Sequence, residues 1–102
     1  MIELTGIELS KRVAELYGIE EWSFFTDEGE YGGGHVMPLH EDSARCFELL
    51  VRHEVRLTYL MYAVTAWDGD SLNFQYVSWQ DCTKEEAART AILRCLVMMK
   101  EG

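Results

Sequence analysis

Val55-Arg56-Leu57-Thr58-Tyr59-Leu60-Met61-Tyr62-Ala63-Val64-Thr65-Ala66-Trp67 is the stretch that decides the fold. From Leu57 onward its only polar groups are Thr58, Thr65 and the tyrosine hydroxyls. A strand with one face in water alternates apolar and polar residues, and this run does not. Its aromatic and β-branched content favours a strand over a helix. A strand apolar on both faces is covered on both faces. The run therefore predicts the central strand of a sheet with helices above and below.

Elements on either side fit that centre. Asp68-Gly69 signals a hairpin, and Leu72–Trp79 reads as the returning strand. It carries Leu72, Phe74 and Tyr76 on one face and Asn73, Gln75 and Val77 on the other, which suits a position nearer an edge. Thr83–Met99 reads as a helix opened by a capping box of Thr83 and Glu86. Ala87, Ala88, Ala91, Ile92, Cys95, Leu96 and Met99 give it a wide apolar stripe that can approach a sheet closely. Upstream, Asp42–His53 reads as a helix with Asp42 as N-cap and Glu41 near the positive end of its dipole. Phe47, Leu50 and Val51 are expected to face the core, with Ala44 and Cys46 beside them.

Thr5–Tyr17 reads as the first helix. Thr5 and Glu8 match a capping box, Leu9, Val13, Leu16 and Tyr17 form one apolar face, and Gly18 supplies a stop. Glu21–Thr26 suits a short aromatic strand, and Asp27-Glu28-Gly29 a turn. Glu30-Tyr31 can start a second strand before the loop marked by Gly32-Gly33-Gly34 and Pro38. The expected fold is α+β: one domain over residues 1–102, an α-β-α sandwich with a mostly antiparallel four-stranded sheet and the order αββαββα.

Composition narrows the function. The chain has 102 residues, 48% of them apolar, which is enough for one core. Eighteen acids oppose nine bases, for a net charge of -9. Direct binding to nucleic-acid phosphates needs Lys and Arg and is not expected. Neither an 18-residue apolar run nor a signal-peptide pattern in MIELTGIELSKR points to a membrane or to export. Cys46, Cys82 and Cys95 form no CxxC pair and read as reduced thiols, two of them buried, so the expected location is cytoplasmic.

Several segments resemble small bacteriophage and prophage proteins of the ABA-sandwich family. Leu4-Thr5-Gly6-Ile7-Glu8-Leu9 followed by Val13-Ala14 is similar to their opening. Met37-Pro38-Leu39-His40-Glu41-Asp42-Ser43-Ala44, leading to Glu54-Val55-Arg56-Leu57, looks like their middle segment. Thr83-Lys84-Glu85-Glu86-Ala87-Ala88-Arg89-Thr90-Ala91 resembles their last helix. Phe47 departs from the Trp often found in the middle helix. The resemblance implies an α-β-α sandwich and an origin in an infected bacterial host, and it brings no catalytic residues with it.

The candidate chemistry is thin. Gly32-Gly33-Gly34 lacks the following GK[ST] of a phosphate loop. His35, His40, His53 and Cys46 match no zinc spacing. Asp68, Asp70 and Asp81 cannot complete a calcium loop, because the twelfth position counted from Asp68 is Trp79. No acid–base pair, nucleophile elbow or cofactor motif is recognised, so an enzyme is not expected and no cofactor or metal is assigned.

Charge segregation stands out instead. Over the 32 positions from Val13 to Ala44 there is no Lys or Arg, while Glu15, Glu20, Glu21, Asp27, Glu28, Glu30, Glu41 and Asp42 all fall there. Neighbouring carboxylates repel, and an anionic face attracts basic protein grooves. Glu15, Glu20, Glu21, Asp27, Glu28, Glu30, Tyr31 and Glu41 are the expected partner-binding residues, with Tyr31 as an aromatic anchor. The expected function is a stoichiometric inhibitor that sets its carboxylates against the basic nucleic-acid groove of a bacterial defence complex of the anti-CRISPR target type. Two alternatives are an oligomeric sponge for an anionic nucleotide, drawing on Arg45, Arg52, Arg56, Arg89 and Arg94, and a phage accessory or assembly protein dimerising through the Leu72–Trp79 edge.

Overall fold

The computed structural model describes residues 4–18, 39–68, 74–80 and 82–101. Helix α1 spans Gly6–Tyr17, a 3-10 turn Leu39–Glu41, and helix α2 Ser43–Arg52. Strands β1 (Arg56–Tyr59), β2 (Ala63–Trp67) and β3 (Gln75–Ser78) follow, then helix α3 (Lys84–Glu101). The class is α+β, with a three-stranded antiparallel sheet in the order β1-β2-β3.

The decisive run is corrected in one respect. Val55–Trp67 is two strands and not one, reversing at Leu60-Met61-Tyr62, where the Leu60 N–H donates to the Ala63 carbonyl at 2.7 Å. Three described strands therefore stand between α2 and α3 where two were expected. Central burial survives the correction. Ala63, Val64, Thr65 and Ala66 of β2 are all buried, so both faces of the middle strand are shielded. The pairs Leu57↔Ala66, Tyr59↔Val64, Ala66↔Gln75 and Val64↔Val77 place those residues on one face. That inner face lies on α3. The expected strands at Glu21–Thr26 and Glu30-Tyr31 lie outside the described residues.

Helix α3 is the organising element. Ala87, Ala88, Ala91, Ile92, Leu93, Cys95, Leu96 and Val97 are all buried, a wider arc than a helix on a sheet alone requires. The sheet covers one side, and α1 and α2 pack on others. Tyr17 Oη donates to the Leu96 carbonyl at 2.6 Å, and Arg94 Nε to the Leu4 carbonyl at 3.0 Å, tying α1 to α3. Among the described residues the three helices gather on the inner face. The Cα radius of gyration, 13.0 Å, is that of a compact chain of this length.

The caps follow the sequence with one exception. Thr83 Oγ1 accepts the Glu86 N–H at 3.1 Å, and Asp42 Oδ1 accepts the Arg45 N–H at 3.0 Å. Gly18 closes α1 in the left-handed conformation (φ 68°), its N–H reaching the Ala14 carbonyl. Thr5 caps α1 by backbone alone, with no side-chain hydrogen bond, so the expected capping box there is not formed. Helix α2 ends in a full Schellman motif, with Glu54 N–H donating to Val51 O at 3.3 Å and Val55 N–H to Leu50 O at 2.9 Å. Glu54 occupies its left-handed position at φ 56°.

The buried face of α2 is also corrected. Cys46 and Leu49 are buried and Leu50 half-buried, whereas Phe47 is 63% and Val51 59% exposed. The Cys46 thiol donates to the Leu39 carbonyl at 3.0 Å and so fixes the rotation of the helix against the 3-10 turn.

Candidate protein-interaction surface

The β1–β2 turn is the most apolar exposed point of the described molecule. Met61 is 78% and Tyr62 62% exposed, with Tyr59 and Leu60 beside them also open to solvent. A tight turn ordinarily takes Gly, Asn, Asp or Pro, and this one takes none. Two contacts anchor its base. The Trp79 N–H donates to the Tyr62 carbonyl at 3.1 Å, extending the β2–β3 ladder by one bond. The Tyr59 and Trp79 rings lie 6.1 Å apart, with Lys84 Nζ 5.7 Å from the first and 5.4 Å from the second. An exposed apolar tip of Leu, Met and Tyr on an anchored base has the composition of an interface anchor.

A second apolar feature lies on the outer face of the sheet. Phe74 and Tyr76 of the β3 segment are exposed, while Gln75 and Val77 turn inward. The more apolar side of this strand thus faces away from the helices. Phe74 stacks on Trp67 with ring centroids 6.2 Å apart, which joins the open ends of β2 and β3.

Of the expected partner-binding residues, Glu15 is exposed on α1 and Glu41 is exposed at the end of the 3-10 turn. Glu20, Glu21, Asp27, Glu28, Glu30 and Tyr31 lie outside the described residues, as do the three consecutive glycines and His35. The arginines divide between hollows. Arg45 and Arg52 line one of about 290 Å³ with Tyr17, Leu39 and Glu48, where Arg52 pairs with Glu48 at 3.0 Å. Arg89 and Arg94 line a second of about 500 Å³ with His40, Cys82, Glu41 and Glu86. Glu48 stands beside the first pair and Glu41 and Glu86 beside the second, and Arg56 lines neither hollow, so the five arginines do not converge.

His40, on the wall of the larger hollow, and the buried Ser10 behind it have the elements of a base and a nucleophile. Ser10 Oγ lies 2.8 Å from His40 Nδ1. The same hydroxyl accepts the His40 backbone N–H at 2.8 Å, and Ser10 is only 1% exposed. A nucleophile must meet its substrate, and this oxygen is enclosed. Its role is to satisfy an amide at the start of the 3-10 turn. Burial holds the His40 imidazole below its ordinary pKa, with Glu41 pulling it up and Arg89 down. The Cys46 thiol is pushed up to about 12 by burial, which makes it inert at neutral pH. No group of three or more potential metal ligands occurs among the described residues. No described helix is long and apolar enough to cross a membrane.

The chain matches no family model, no curated protein and no solved structure.

Proposed function

We propose that this protein acts by stoichiometric protein binding, as a phage-derived inhibitor that occupies the basic nucleic-acid groove of a bacterial defence complex. The observation that carries this reading is the exposed apolar tip Leu60-Met61-Tyr62 on a chain of net charge -9. The apolar tip supplies short-range affinity, and the anionic surface steers a basic partner and speeds its capture. The resemblance of the helix-forming segments to phage ABA-sandwich proteins supports the setting. The division of the arginines between two carboxylate-bearing hollows favours protein binding over a nucleotide sponge.

The test is affinity capture with the tagged full chain from nuclease-treated bacterial lysate, at low and high salt, beside Met61→Asp. Recovery of a nucleic-acid-handling complex that is lost at high salt and lost with Met61→Asp supports the reading. Binding that ignores both salt and the substitution overturns it.

A further inference from the structure

Met61 stands at the reversal between β1 and β2 and is 78% exposed, more than any other large apolar residue among those described. The other described methionines lie on α3. Met98 and Met99 are half-buried, and Met99 packs against the core. Oxidation of a thioether follows its exposure, so the three sulfurs are not equivalent. The turn itself is held by main-chain bonds. Leu60 N–H donates to the Ala63 carbonyl at 2.7 Å, and Trp79 N–H to the Tyr62 carbonyl at 3.1 Å. Neither bond uses an atom of the Met61 side chain.

Two of the three thiols are shielded. Cys46 and Cys95 are buried, and burial pushes both up to about 12, so neither supplies the thiolate that reacts with a peroxide at neutral pH. Cys82 is half-buried, and its thiol donates to the Ser78 carbonyl at 3.7 Å.

We propose that Met61 is a site of reversible oxidation by a peroxide, which turns the apolar tip polar and leaves the fold intact. The thioether sulfur uses a lone pair to take one peroxide oxygen. An S–O bond forms as the O–O bond breaks, and the second oxygen leaves as hydroxide. The proton carried over on the new S–O group converts that hydroxide to water. Sulfur loses two electrons and the peroxide gains them. A methionine sulfoxide reductase supplied with a dithiol reverses the step, the oxygen leaving as water and the dithiol becoming a disulfide.

The sulfoxide is a polar acceptor on a side chain placed where a partner would bury it. Burying that acceptor against an apolar surface without a donor is unfavourable. The backbone bonds on either side of Met61 persist, so the change is confined to the tip. That oxidation loosens a bound protein rests on the function proposed above. The site and its change of polarity do not.

The test treats the full chain carrying Cys82→Ser with hydrogen peroxide at neutral pH. Peptide mass spectrometry follows each methionine, hydrophobic-interaction chromatography reads the tip, and melting curves read the fold. Met61→Leu sets an apolar side chain there that a peroxide does not oxidise, and Met61→Gln sets a polar one without oxidation. Met61 is expected to gain one oxygen at least about threefold faster than Met98 or Met99. The oxidised chain should elute earlier at an unchanged melting temperature. Met61→Leu should lose most of that shift, and untreated Met61→Gln should reproduce it. The reductase with dithiothreitol should restore the original elution. Oxidation of Met98 or Met99 ahead of Met61, an elution shift that persists in Met61→Leu, or unfolding in step with Met61 oxidation overturns the proposal. Capture from nuclease-treated, desalted lysate then separates the two claims. Peroxide should lower capture at least about tenfold in the chain with Met61 and not in Met61→Leu. Capture undiminished by Met61 oxidation overturns the link to binding. Absence of capture by the untreated chain overturns the function proposed above, and the oxidation site is still decided by mass, elution and melting.

Discussion

Ser10 holds His40 by its backbone and by its ring at once. The hydroxyl accepts the His40 N–H at 2.8 Å and lies 2.8 Å from Nδ1, so in the tautomer protonated at Nε2 it also donates to the imidazole. The pair joins α1 to the 3-10 turn across 30 residues of sequence. Ser10→Ala leaves a buried amide without its partner. The expected loss is about 1–3 kcal/mol of stability, measured by urea denaturation. A loss below a few tenths of a kcal/mol would contradict the structural role given to Ser10.

Arg89 fastens the same turn from the other side. Its Nε and Nη1 donate to the His40 carbonyl and Ser43 Oγ. Arg89→Met keeps much of the aliphatic stem and removes both bonds. It should destabilise by roughly 1–3 kcal/mol, and amide exchange should rise first at residues 39–46.

Glu54 points the opposite way. A side chain in the left-handed region is strained where glycine is not, and the Schellman bonds require that conformation. Glu54→Gly should raise stability by up to about 1 kcal/mol, the strain relieved being partly offset by the greater freedom of glycine when unfolded. A lower melting temperature would show that the carboxylate makes a compensating contact.

Protonation should limit stability from both sides. Burial lowers His40 and His53 below their ordinary 6.5, with Arg52 and Lys100 adding to the effect at His53. Below about pH 6.5 the unfolded chain then binds more protons than the folded one, so the histidine contribution is present above that pH and fades on acidification. On the alkaline side burial raises Tyr17 to about 12 from 10.0, and Cys46 and Cys95 to about 12 from 9.0. Here the folded chain holds protons that the unfolded chain releases, so stability declines as pH rises from 9 toward 12. Melting temperature against pH, with the histidine resonances followed by NMR, checks both limbs.

Met61→Asp separates binding from folding. The side chain is 78% exposed, so the melting temperature should change little while partner capture is lost. A large fall in melting temperature would place the tip in the fold and not in an interface.

Much of this architecture was legible in the sequence because it rests on local chemistry. Asp42, Thr83 and Gly18 act as caps by virtue of their own side chain or the lack of one. The buried β2 residues announce themselves by missing alternation. The reversal at Leu60-Met61-Tyr62 was hidden, because nothing there has turn chemistry. Length was the available clue: thirteen extended residues span roughly 43 Å at 3.3 Å each, more than the 38 Å longest dimension of the protein. The rotation of α2 was hidden for another reason. Cys46, Leu49 and Leu50 make an i, i+3, i+4 stripe, and so do Phe47, Leu50 and Val51. Tertiary contacts separate them: Cys46 and Leu49 pack into the core, and the Cys46 thiol bonds to the Leu39 carbonyl. As for the acidic surface, the sequence located its charges, and the structure places Glu15 and Glu41 in solvent. The apolar tip was missed because a turn residue that is also a good strand former reads as strand.

The burial of α3 on several sides also bears on how the chain assembles during synthesis. The apolar face of α1 and the inner face of the sheet both close on this one helix. Both are made before it, and neither has its principal cover until the helix has cleared the ribosome tunnel. Translation therefore delivers a chain whose earlier segments stay open, and compaction is a single late event. Until then Leu9, Val13, Val64 and Ala66 are accessible to whatever in the cell recognises unfolded protein.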